Sequence, residues 1–283
     1  MKNKYCVFIL SHGRAGNVAT ARTLRRHNYT GDIYIVIDDT DNQKKEYQKE
    51  FGDKVIIFDK KKASEKTDTL DNFGNMKAVV YARNTVNEIA KKLGYQFYIV
   101  LDDDYSTFQY RFDFDNVYRY KLIRRLDQVF DICITFLKNT NIDCLCMAQG
   151  GDFIGGSESG ISQSVKLTRK MMNVYFCNTE KPIEFYGSIN EDVNAYVHNG
   201  SVGKVYFTTN ILSIVQGVTQ GNAGGLTDIY LELGTYVKSF YSVIIQPSCV
   251  KVAVMGTKFK RLHHSVSWDH AVPVIISEKY RKR

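Results

Sequence analysis

The sequence predicts an α/β fold in which a mostly parallel sheet is flanked by helices. Continuous apolar runs at residues 5–10, 32–37 and 55–58 indicate strands buried on both faces, which is typical of parallel sheets. Helical patterns at residues 17–26 and 42–51 lie between these runs. Strands and helices that alternate in this way are joined by right-handed crossovers within one open sheet.

The alternation continues to a fourth predicted strand at residues 97–101. The helix before it has one apolar face and a glycine stop at Gly94. That face consists of Val79, Ala82, Val86, Ile89 and Leu93. We therefore expect residues 1–104 to form a nucleotide-binding half.

The pattern changes after residue 104, where glycine, serine, threonine and aromatic residues become frequent. Short strands are predicted at residues 142–147, 172–177, 205–215 and 250–254. A further amphipathic helix is predicted from the spacing of Leu122, Leu126, Val129, Cys133 and Phe136. Because no proline-rich linker is present, we expect a single domain over residues 1–283. Its acceptor-binding half, 105–283, shares the sheet and ends in a basic segment.

The composition is that of a soluble globular protein. Of the 283 residues, 44% are hydrophobic and 24% are charged, and a chain of this length buries a large core. The six cysteines form no C-x-x-C pair, so we expect reduced core thiols and no zinc site or disulfide. Neither a signal peptide nor a membrane-spanning stretch is visible, which predicts a cytoplasmic protein without a membrane partner.

The formal net charge of +8 suits an anionic partner such as a nucleotide or a nucleic acid. Moderately basic soluble proteins are common, so the charge alone supports nucleic-acid binding only weakly. Basic residues cluster at positions 60–62, 124–125, 258–261 and 279–283. The last cluster is equally well explained as a solvated chain end.

Three consecutive carboxylates, Asp102, Asp103 and Asp104, follow the fourth strand directly. Adjacent anions repel each other, and a divalent cation bound to phosphate oxygens would offset their charge. Since side chains alternate along an extended chain, Asp102 and Asp104 are expected on one side and Asp103 on the other. We predict that Asp102 and Asp104 hold Mg²⁺ or Mn²⁺ and that Asp103 lies beside the nucleotide. The alternative is an acidic turn.

Ligands of open α/β sheets lie beyond the carboxyl ends of the strands. The first strand is followed by Ser11, His12 and Arg14 among two glycines, which permit a close backbone approach. Ser11 and His12 are candidate nucleotide contacts, and Arg14 is expected to meet a phosphate or to pack on a base. His12 is alternatively a turn residue with local hydrogen bonds.

The second strand is followed by Asp38 and Asp39, which are candidates to bind a ribose hydroxyl or a base N–H. Asp41 is expected to N-cap the next helix. Before and within the third helix, Asn75, Lys77 and Arg83 are candidate contacts to the nucleotide or its diphosphate. Arg83 alternatively forms a salt bridge across the surface.

A second acidic pair, Glu191 and Asp192, stands near the predicted start of a later helix. Ser188 and Glu191 have the S-x-x-E spacing of a capping box, which would explain Glu191 structurally. Asp192 is not needed for that box, and a carboxylate in this position is a candidate base for a hydroxyl nucleophile. Both acids are retained as candidate catalytic residues.

A basic segment near the C-terminus contains Lys260, His263 and His264. A histidine there would complete a metal shell begun by the aspartates, and Lys260 would hold a departing diphosphate. The single tryptophan, Trp268, either stacks on a base or sugar or packs in the core, and we favour the core.

Taken together, these motifs resemble the GT-A nucleotide-sugar glycosyltransferases. Members combine a Rossmann-like nucleotide-binding half with a metal-binding D-x-D motif after a strand, an acceptor-facing E-D pair on a later helix and a C-terminal metal-binding histidine. Asp102–Asp104 match the D-x-D motif, Glu191 and Asp192 match the E-D pair, and His263 or His264 matches the histidine. The resemblance implies a single GT-A-like domain with a Rossmann-type sheet and an elaborated acceptor half. It also implies a UDP-sugar donor and Mn²⁺ or Mg²⁺.

More narrowly, the chain resembles the TET-associated glycosyltransferases of phages and their relatives. The resemblance lies in the start V-F-I-L-S-H-G-R, the strand end L-D-D-D and the close R-L-H-H-S-V-S-W-x-x-A-V-P-V-I. It implies sugar transfer to a 5-hydroxymethylpyrimidine of phage DNA in the host-cell cytoplasm. Such a base would be flipped out of a duplex. Candidates to stack on it are Tyr105, Phe108, Tyr110 and Phe153.

In this interpretation Asp192 is the base if transfer inverts the anomeric centre, and it orients hydroxyls if transfer retains it. Three other functions are compatible with the residues: a glycosyltransferase for polysaccharide or protein, a nucleotidyltransferase, and a non-catalytic DNA-binding accessory protein. The residues alone leave the sugar, the stereochemistry and the oligomeric state open.

Overall fold

The computed structural model describes residues 4–72, 74, 76–163, 167–217, 237–256 and 260–273. Its strands are β1 (Tyr5–Leu10), β2 (Asp32–Asp38), β3 (Val55–Phe58), β4 (Phe97–Asp102), β5 (Tyr105–Phe112), β6 (Tyr118–Leu122), β7 (Cys144–Gln149), β8 (Asn173–Asn178), β9 (Tyr206–Gln216), β10 (Val250–Met255) and β11 (Arg261–Val266). Its helices are α1 (Ala19–Arg26), α2 (Lys44–Phe51), α3 (Lys60–Ser64), α4 (Val80–Lys92), α5 (Leu126–Asn139), α6 (Gly160–Gln163), α7 (Glu191–Ser201), α8 (Lys238–Ile245) and α9 (Trp268–Ala271).

Nine strands form one sheet in the order β3-β2-β1-β4-β8-β7-β9-β5-β6, and β10 pairs separately with β11. The strands β3, β2, β1 and β4 run parallel to one another, as does the pair β7 and β9. The other pairings in this sheet are antiparallel. Strands from both sides of residue 104 therefore share one sheet, and the predicted α/β fold is confirmed.

The register of β1 and β4 sets the position of the site. Leu10 lies opposite Asp102, so the residues that follow both strands emerge side by side at the carboxyl edge of the parallel strands. Each strand is buried on both faces. In β4, Ile99 packs in the core that includes α1 and α5, whereas Tyr98 packs in the core that includes α4 and α7. This two-sided burial explains why the strand reads as an unbroken apolar run.

The apolar spacing misplaced one residue. Leu122 was predicted on the helix of residues 122–136, but it is the last residue of β6 and is 52% exposed. The helix begins at Leu126, whose side chain is fully buried. Leu122 and Leu126 are spaced like helix neighbours, but residues 123–125 between them connect a strand to the helix.

All six cysteines are free and buried, as predicted. None of the helices in the described ranges is long and apolar enough to cross a membrane.

Candidate active site

Helix α1 holds the turn that carries the three aspartates. The Thr20 hydroxyl donates to the backbone oxygen of Asp102 at 2.6 Å and accepts from the backbone N–H of Tyr105 at 2.8 Å. The backbone N–H of Thr20 donates to the oxygen of Asp103 at 3.0 Å. Thr20 is completely buried, and its hydrogen bonds hold the backbone of the turn in place. Nothing in the sequence pattern distinguished this threonine.

Asp103 ties the end of β1 to the end of β4. Its carboxylate accepts from the Ser11 hydroxyl at 2.6 Å and from Arg14 Nη1 at 2.6 Å. Burial raises the pKa of Asp103, and the contacts to Ser11 and Arg14 oppose that rise. With 5% exposure, Asp103 is a link between strands, which corrects the expectation that it contacts a nucleotide itself.

Asp102 and Asp104 form the open part of the cluster. The Asp102 side chain is 33% exposed, and its Oδ1 lies 3.2 Å from Arg83 Nη2. Burial, followed by repulsion from Asp102 and Asp103, raises the pKa of Asp104 to about 6. Among the residues that the structure describes, no side chain donates a hydrogen bond to the Asp104 carboxylate, and Arg14 opposes the rise in its pKa only in part. A divalent cation would relieve this excess of negative charge, so the two carboxylates suit Mg²⁺ or Mn²⁺ that is also bound by water and phosphate.

A second cluster lies at the end of β2. Asp38 accepts from Lys60 Nζ at 3.1 Å and lies 2.7 Å from His12 Nδ1. Burial alone would raise the pKa of Asp38, but the contacts to His12, Thr40 and Lys60 hold it well below its usual value. The Asp38 hydrogen bond raises the pKa of His12, whose side chain remains 43% exposed. His12 is therefore oriented by a buried carboxylate, and the alternative of a local turn contact is wrong.

The two other acids after β2 have different roles. Asp39 is exposed and accepts from the backbone N–H of Lys60 at 2.9 Å. Asp41 is 1% exposed and accepts from the backbone N–H groups of Gly13 and Gln43, each at 2.8 Å. The N-cap of α2 is Gln43, so the prediction that Asp41 caps this helix is wrong. Asp41 instead holds the turn after β1 against the turn after β2.

Arg83 joins the aspartates to the acidic pair on α7. It is 7% exposed, and its guanidinium lies over the rings of Tyr175 and Phe185. Nη2 contacts Asp102, and Nε lies 3.1 Å from Glu191 Oε1. That N–H does not point at the oxygen, so the contact is an ion pair without a hydrogen bond. The predicted salt bridge exists, but it is buried and does not cross the surface.

Arg83 also has unused hydrogen-bonding capacity. Within the described residues, Nε and Nη1 are buried donors without a hydrogen-bond acceptor. Buried donors of this kind are uncommon in folded proteins. The guanidinium can therefore still donate hydrogen bonds to a further acceptor at this position.

The capping box predicted from Ser188 and Glu191 is wrong. Helix α7 begins at Glu191, and its N-cap is Asn190 in a left-handed conformation. The Ser188 hydroxyl contacts Asp71 and Tyr241. Glu191 is buried beside Arg83, and burial raises its pKa against the opposing effect of that arginine. Glu191 is thus a buried partner of Arg83.

Asp192 lies on the first turn of α7 and is partly exposed. Its Oδ1 accepts from the backbone N–H of Val193 at 2.8 Å. Burial lowers the pKa values of Lys170 and Lys238, and the Asp192 carboxylate partly offsets both shifts. Two ammonium groups therefore lie within electrostatic range of Asp192. Lys170 was not singled out from the sequence, where it stands in no recognisable motif.

The two histidines of β11 lie on the same side of the site as α7. His264 Nε2 lies 2.9 Å from Lys170 Nζ, and its Nδ1 lies 3.3 Å from Asn190 Nδ2. Burial, followed by Lys170, lowers the pKa of His264 to about 3, so the ring is neutral. Because an ammonium group only donates, Nε2 is the acceptor of this contact. His263 Nδ1 lies 2.7 Å from the backbone oxygen of His264.

The predicted metal set of Asp102, Asp104, His263 and His264 does not assemble. Across the described part of the chain, no three His, Cys, Asp or Glu side chains are placed to hold a metal ion. Nε2 of His264 is engaged by Lys170, and Nδ1 faces Asn190.

The remaining predicted residues lie as follows. Lys77 and Lys260 are exposed, whereas Asn75 and residues 257–259 and 274–283 lie outside the described residues. Trp268 packs edge-on against Tyr196, with ring centroids 5.3 Å apart, which confirms the expected core position. Three predicted stacking residues are inaccessible: Tyr105 and Phe108 are 0% exposed and Phe153 is 4% exposed. That prediction is wrong for these three, because their rings fill the core.

Comparison with known proteins identifies the class to which this site belongs. A model of the family described as "TET-Associated Glycosyltransferase" matches residues 5–225, which is more than half of the chain. The chain belongs to this family of enzymes. A search of curated proteins found no significant match.

Among solved structures, the chain is similar to glucosyl-3-phosphoglycerate synthase from Mycobacterium tuberculosis, solved with Mg²⁺ and UDP. The identity is 7% and the TM-score 0.47, over 94% of this chain and 88% of that one. A cytidylyltransferase from Leptospira borgpetersenii matches at 12% identity and a TM-score of 0.32, over 63% and 61% of the two chains. CMP:2-keto-3-deoxy-manno-octonic acid synthetase, solved with CTP, matches at 9% identity and a TM-score of 0.42, over 83% and 98%.

Proposed function

We propose that this enzyme transfers a sugar from a UDP-sugar, with Mn²⁺ or Mg²⁺, to the hydroxyl group of a 5-hydroxymethylpyrimidine in DNA. The observation that carries the proposal is the buried link from Asp102 through Arg83 to Glu191. It joins the acidic strand end, suited to a cation and a diphosphate, to the helix that carries Asp192. The residues proposed to bind the UDP-sugar and those proposed to bind the acceptor are thereby connected by buried ion pairs.

On the donor side, the groups that remain accessible are His12, Asp39 and Arg14. The exposed edge of the His12 ring and the Asp39 carboxylate suit a base or ribose, and Arg14 suits a phosphate. Asp102 and Asp104 would hold the cation, which supplies charge neutralisation at the departing diphosphate. Lys77 and Lys260 are exposed, and we propose that they contact the same diphosphate.

The unused Arg83 donors give this residue a second role in the proposal. An acceptor atom of the donor sugar or diphosphate would satisfy Nη1, which is otherwise buried without a partner in the described chain. Arg83 would then contact the bound UDP-sugar while it keeps Asp102 and Glu191 in place.

On the acceptor side, the hydroxyl oxygen bonds to the anomeric carbon as the bond from that carbon to the phosphate oxygen breaks. The electron pair of that bond leaves with UDP. In an inverting transfer, Asp192 takes the hydroxyl proton. In a retaining transfer, the departing phosphate takes it and Asp192 orients the hydroxyl. In either case Lys170 and Lys238 lie within electrostatic range of the Asp192 carboxylate.

DNA is proposed as the acceptor because the matched family is named for its association with TET and because the net charge of +8 suits a polyanion. The test is incubation with UDP-glucose, UDP-galactose or UDP-N-acetylglucosamine, Mn²⁺ and DNA that contains 5-hydroxymethylcytosine. Mass analysis of the released nucleosides should show the mass of one added sugar. Unmodified DNA serves as the control.

Substitution separates the roles within this experiment. Asp102→Asn and Asp104→Asn should each abolish the Mn²⁺-dependent transfer, and Asp192→Asn should lose transfer while UDP binding persists. Sugar added to a glycan array but never to hydroxymethylated DNA would refute the acceptor. Wild-type rates in both strand-end variants would refute the cation site.

A further inference from the structure

The edge of the sheet carries an exposed surface that the transfer site does not use. Among the described residues, strand β6 is the last strand of the nine-stranded sheet and pairs with β5 alone. Four of its five residues are exposed, and the turn that joins the two strands places Phe114 fully in solvent. We call residues 112–125 the edge hairpin. Tyr120 in this segment is 71% exposed.

Cations accompany these aromatic rings. Arg119, Lys121, Arg124 and Arg125 are all exposed along the same edge. Arg119 is paired with Asp113 at 2.8 Å, whereas no ion pair to a described residue engages the other three. Exposed aromatic rings interleaved with cations match the chemistry of a nucleic-acid strand, since rings stack on bases and cations contact phosphates.

Charges on an edge strand also prevent pairing with another sheet. That role does not require large exposed rings, which themselves favour association. The coexistence of Phe114 and Tyr120 with the cations therefore indicates a ligand that is both aromatic and anionic.

The edge hairpin is connected to the transfer site. Tyr118 packs against Phe153, with ring centroids 6.0 Å apart, in the segment that follows β7. Gln149, at the end of that strand, accepts from Asn173 at 3.1 Å, and Asn173 lies 3.4 Å from the Tyr105 hydroxyl. The chain of β5 itself runs from Tyr105, next to Asp104, to the hairpin turn. Its eight residues span roughly 25 Å, or about seven nucleotides of a strand.

We propose that the edge hairpin binds the DNA strand that flanks the target base. Lys121, Arg124 and Arg125 contact its phosphates, and Phe114 and Tyr120 stack on its bases or sugars. This inference rests on the proposed DNA acceptor and adds the surface that would hold the polymer. It predicts that a long substrate depends on the hairpin, whereas a substrate confined to the transfer site does not.

The test compares Lys121→Gln/Arg124→Gln with the control Lys91→Gln/Lys92→Gln. The control removes two exposed cations at the C-terminal end of α4, outside the edge hairpin. Binding of a fluorescent 20-base-pair DNA is measured at several salt concentrations. The hairpin variant should bind about tenfold more weakly, and its salt slope should fall by roughly 1 to 2. The control should match the wild type in both measurements.

Two further measurements complete the test. Phe114→Ala/Tyr120→Ala should weaken DNA binding several-fold without changing the salt slope. Transfer to a hydroxymethylated trinucleotide should be unchanged in both hairpin variants. Equal DNA affinity of the hairpin variants, the control and the wild type would overturn the inference, even if DNA is glycosylated. Wild-type protein that does not bind DNA would also overturn it. The proposed function alone fails if the wild type binds DNA through the hairpin but transfers no sugar.

Discussion

Asp104 is the residue at which local structure and the proposed chemistry are most tightly coupled. Burial and the neighbouring carboxylates raise its pKa, and Arg14 opposes only part of that rise. A group whose folded-state pKa is raised above its ordinary value of 3.8 destabilises the folded protein when it is ionised. This penalty is absent below about pH 4, grows as the pH rises and is complete above about pH 6.

Asp104→Asn removes that penalty. We therefore expect the variant to raise the melting temperature of the metal-free protein at pH 7.5 and to leave it nearly unchanged at pH 4. Added Mn²⁺ with UDP should stabilise the wild type but not the variant, because ligands stabilise only the state that binds them. Differential scanning calorimetry at the two pH values measures both effects. A variant less stable than the wild type at pH 7.5 would contradict this electrostatic account.

Arg83 offers a second prediction at this scale. Arg83→Met leaves Glu191 buried without its cation, and loss of one partner of a buried ion pair costs about 3–5 kcal/mol. Urea unfolding should show that loss, and Glu191→Gln in the same chain should restore part of it. Lys91→Met, on the exposed side of the same helix, should change stability by less than about 0.5 kcal/mol. If Arg83→Met loses no more stability than Lys91→Met, the ion pair of Arg83 and Glu191 does not stabilise the fold.

At the scale of the elements, the position of α7 depends on the backbone before it. Gly187 has φ +87°, and a Cβ there would lie 2.5 Å from Asn194 Nδ2 and 3.2 Å from the Ile189 oxygen. Gly203, after the same helix, has φ +100° but open space around it. Both positions favour glycine, but only Gly187 combines this conformation with close packing.

Gly187→Ala should therefore destabilise the protein by about 1–3 kcal/mol more than Gly203→Ala, because overpacking adds to backbone strain. It should also lower the turnover rate, since Glu191 and Asp192 follow the displaced segment. Thermal unfolding and initial rates of both variants test this. Equal effects of the two substitutions would show that the close contacts of Gly187 are unimportant.

The elements differ in how well the sequence predicted them. The strands of the first half were predicted to within one residue, because burial on both faces leaves an unbroken apolar run. Helix starts were less accurate: α1 and α2 begin two residues after the predicted positions, at Ala19 and Lys44. Side-chain capping was also predicted wrongly, because the N-caps of α2 and α7 are Gln43 and Asn190, and the Ser188 hydroxyl contacts Asp71.

Parts of the candidate site were visible in the sequence where a motif marks them, but not where tertiary packing creates them. The strand end at Asp102–Asp104 was visible because consecutive carboxylates after an apolar run are unusual. The burial of Arg83 and Glu191, and the pairing of His264 with Lys170, depend on segments far apart in the chain. Neither periodicity nor spacing carries that information.

For the whole molecule, the central claim is that the parallel edge of the sheet and helix α7 form one transfer site. The sheet brings the ends of β1, β2 and β4 together, and the Arg83 ion pairs attach α7 to them. We propose that the edge hairpin extends this site toward a polyanionic acceptor, which the net charge of +8 suits. Family membership shows the class of enzyme, and the roles of the individual residues are our proposal.

The most direct measurement is anomalous X-ray scattering from crystals grown with Mn²⁺ and UDP. The account predicts one manganese peak about 2.1 Å from a carboxylate oxygen of Asp102 or Asp104 and from a diphosphate oxygen. Manganese bound elsewhere, with both carboxylates facing bulk solvent in the presence of UDP, would contradict it.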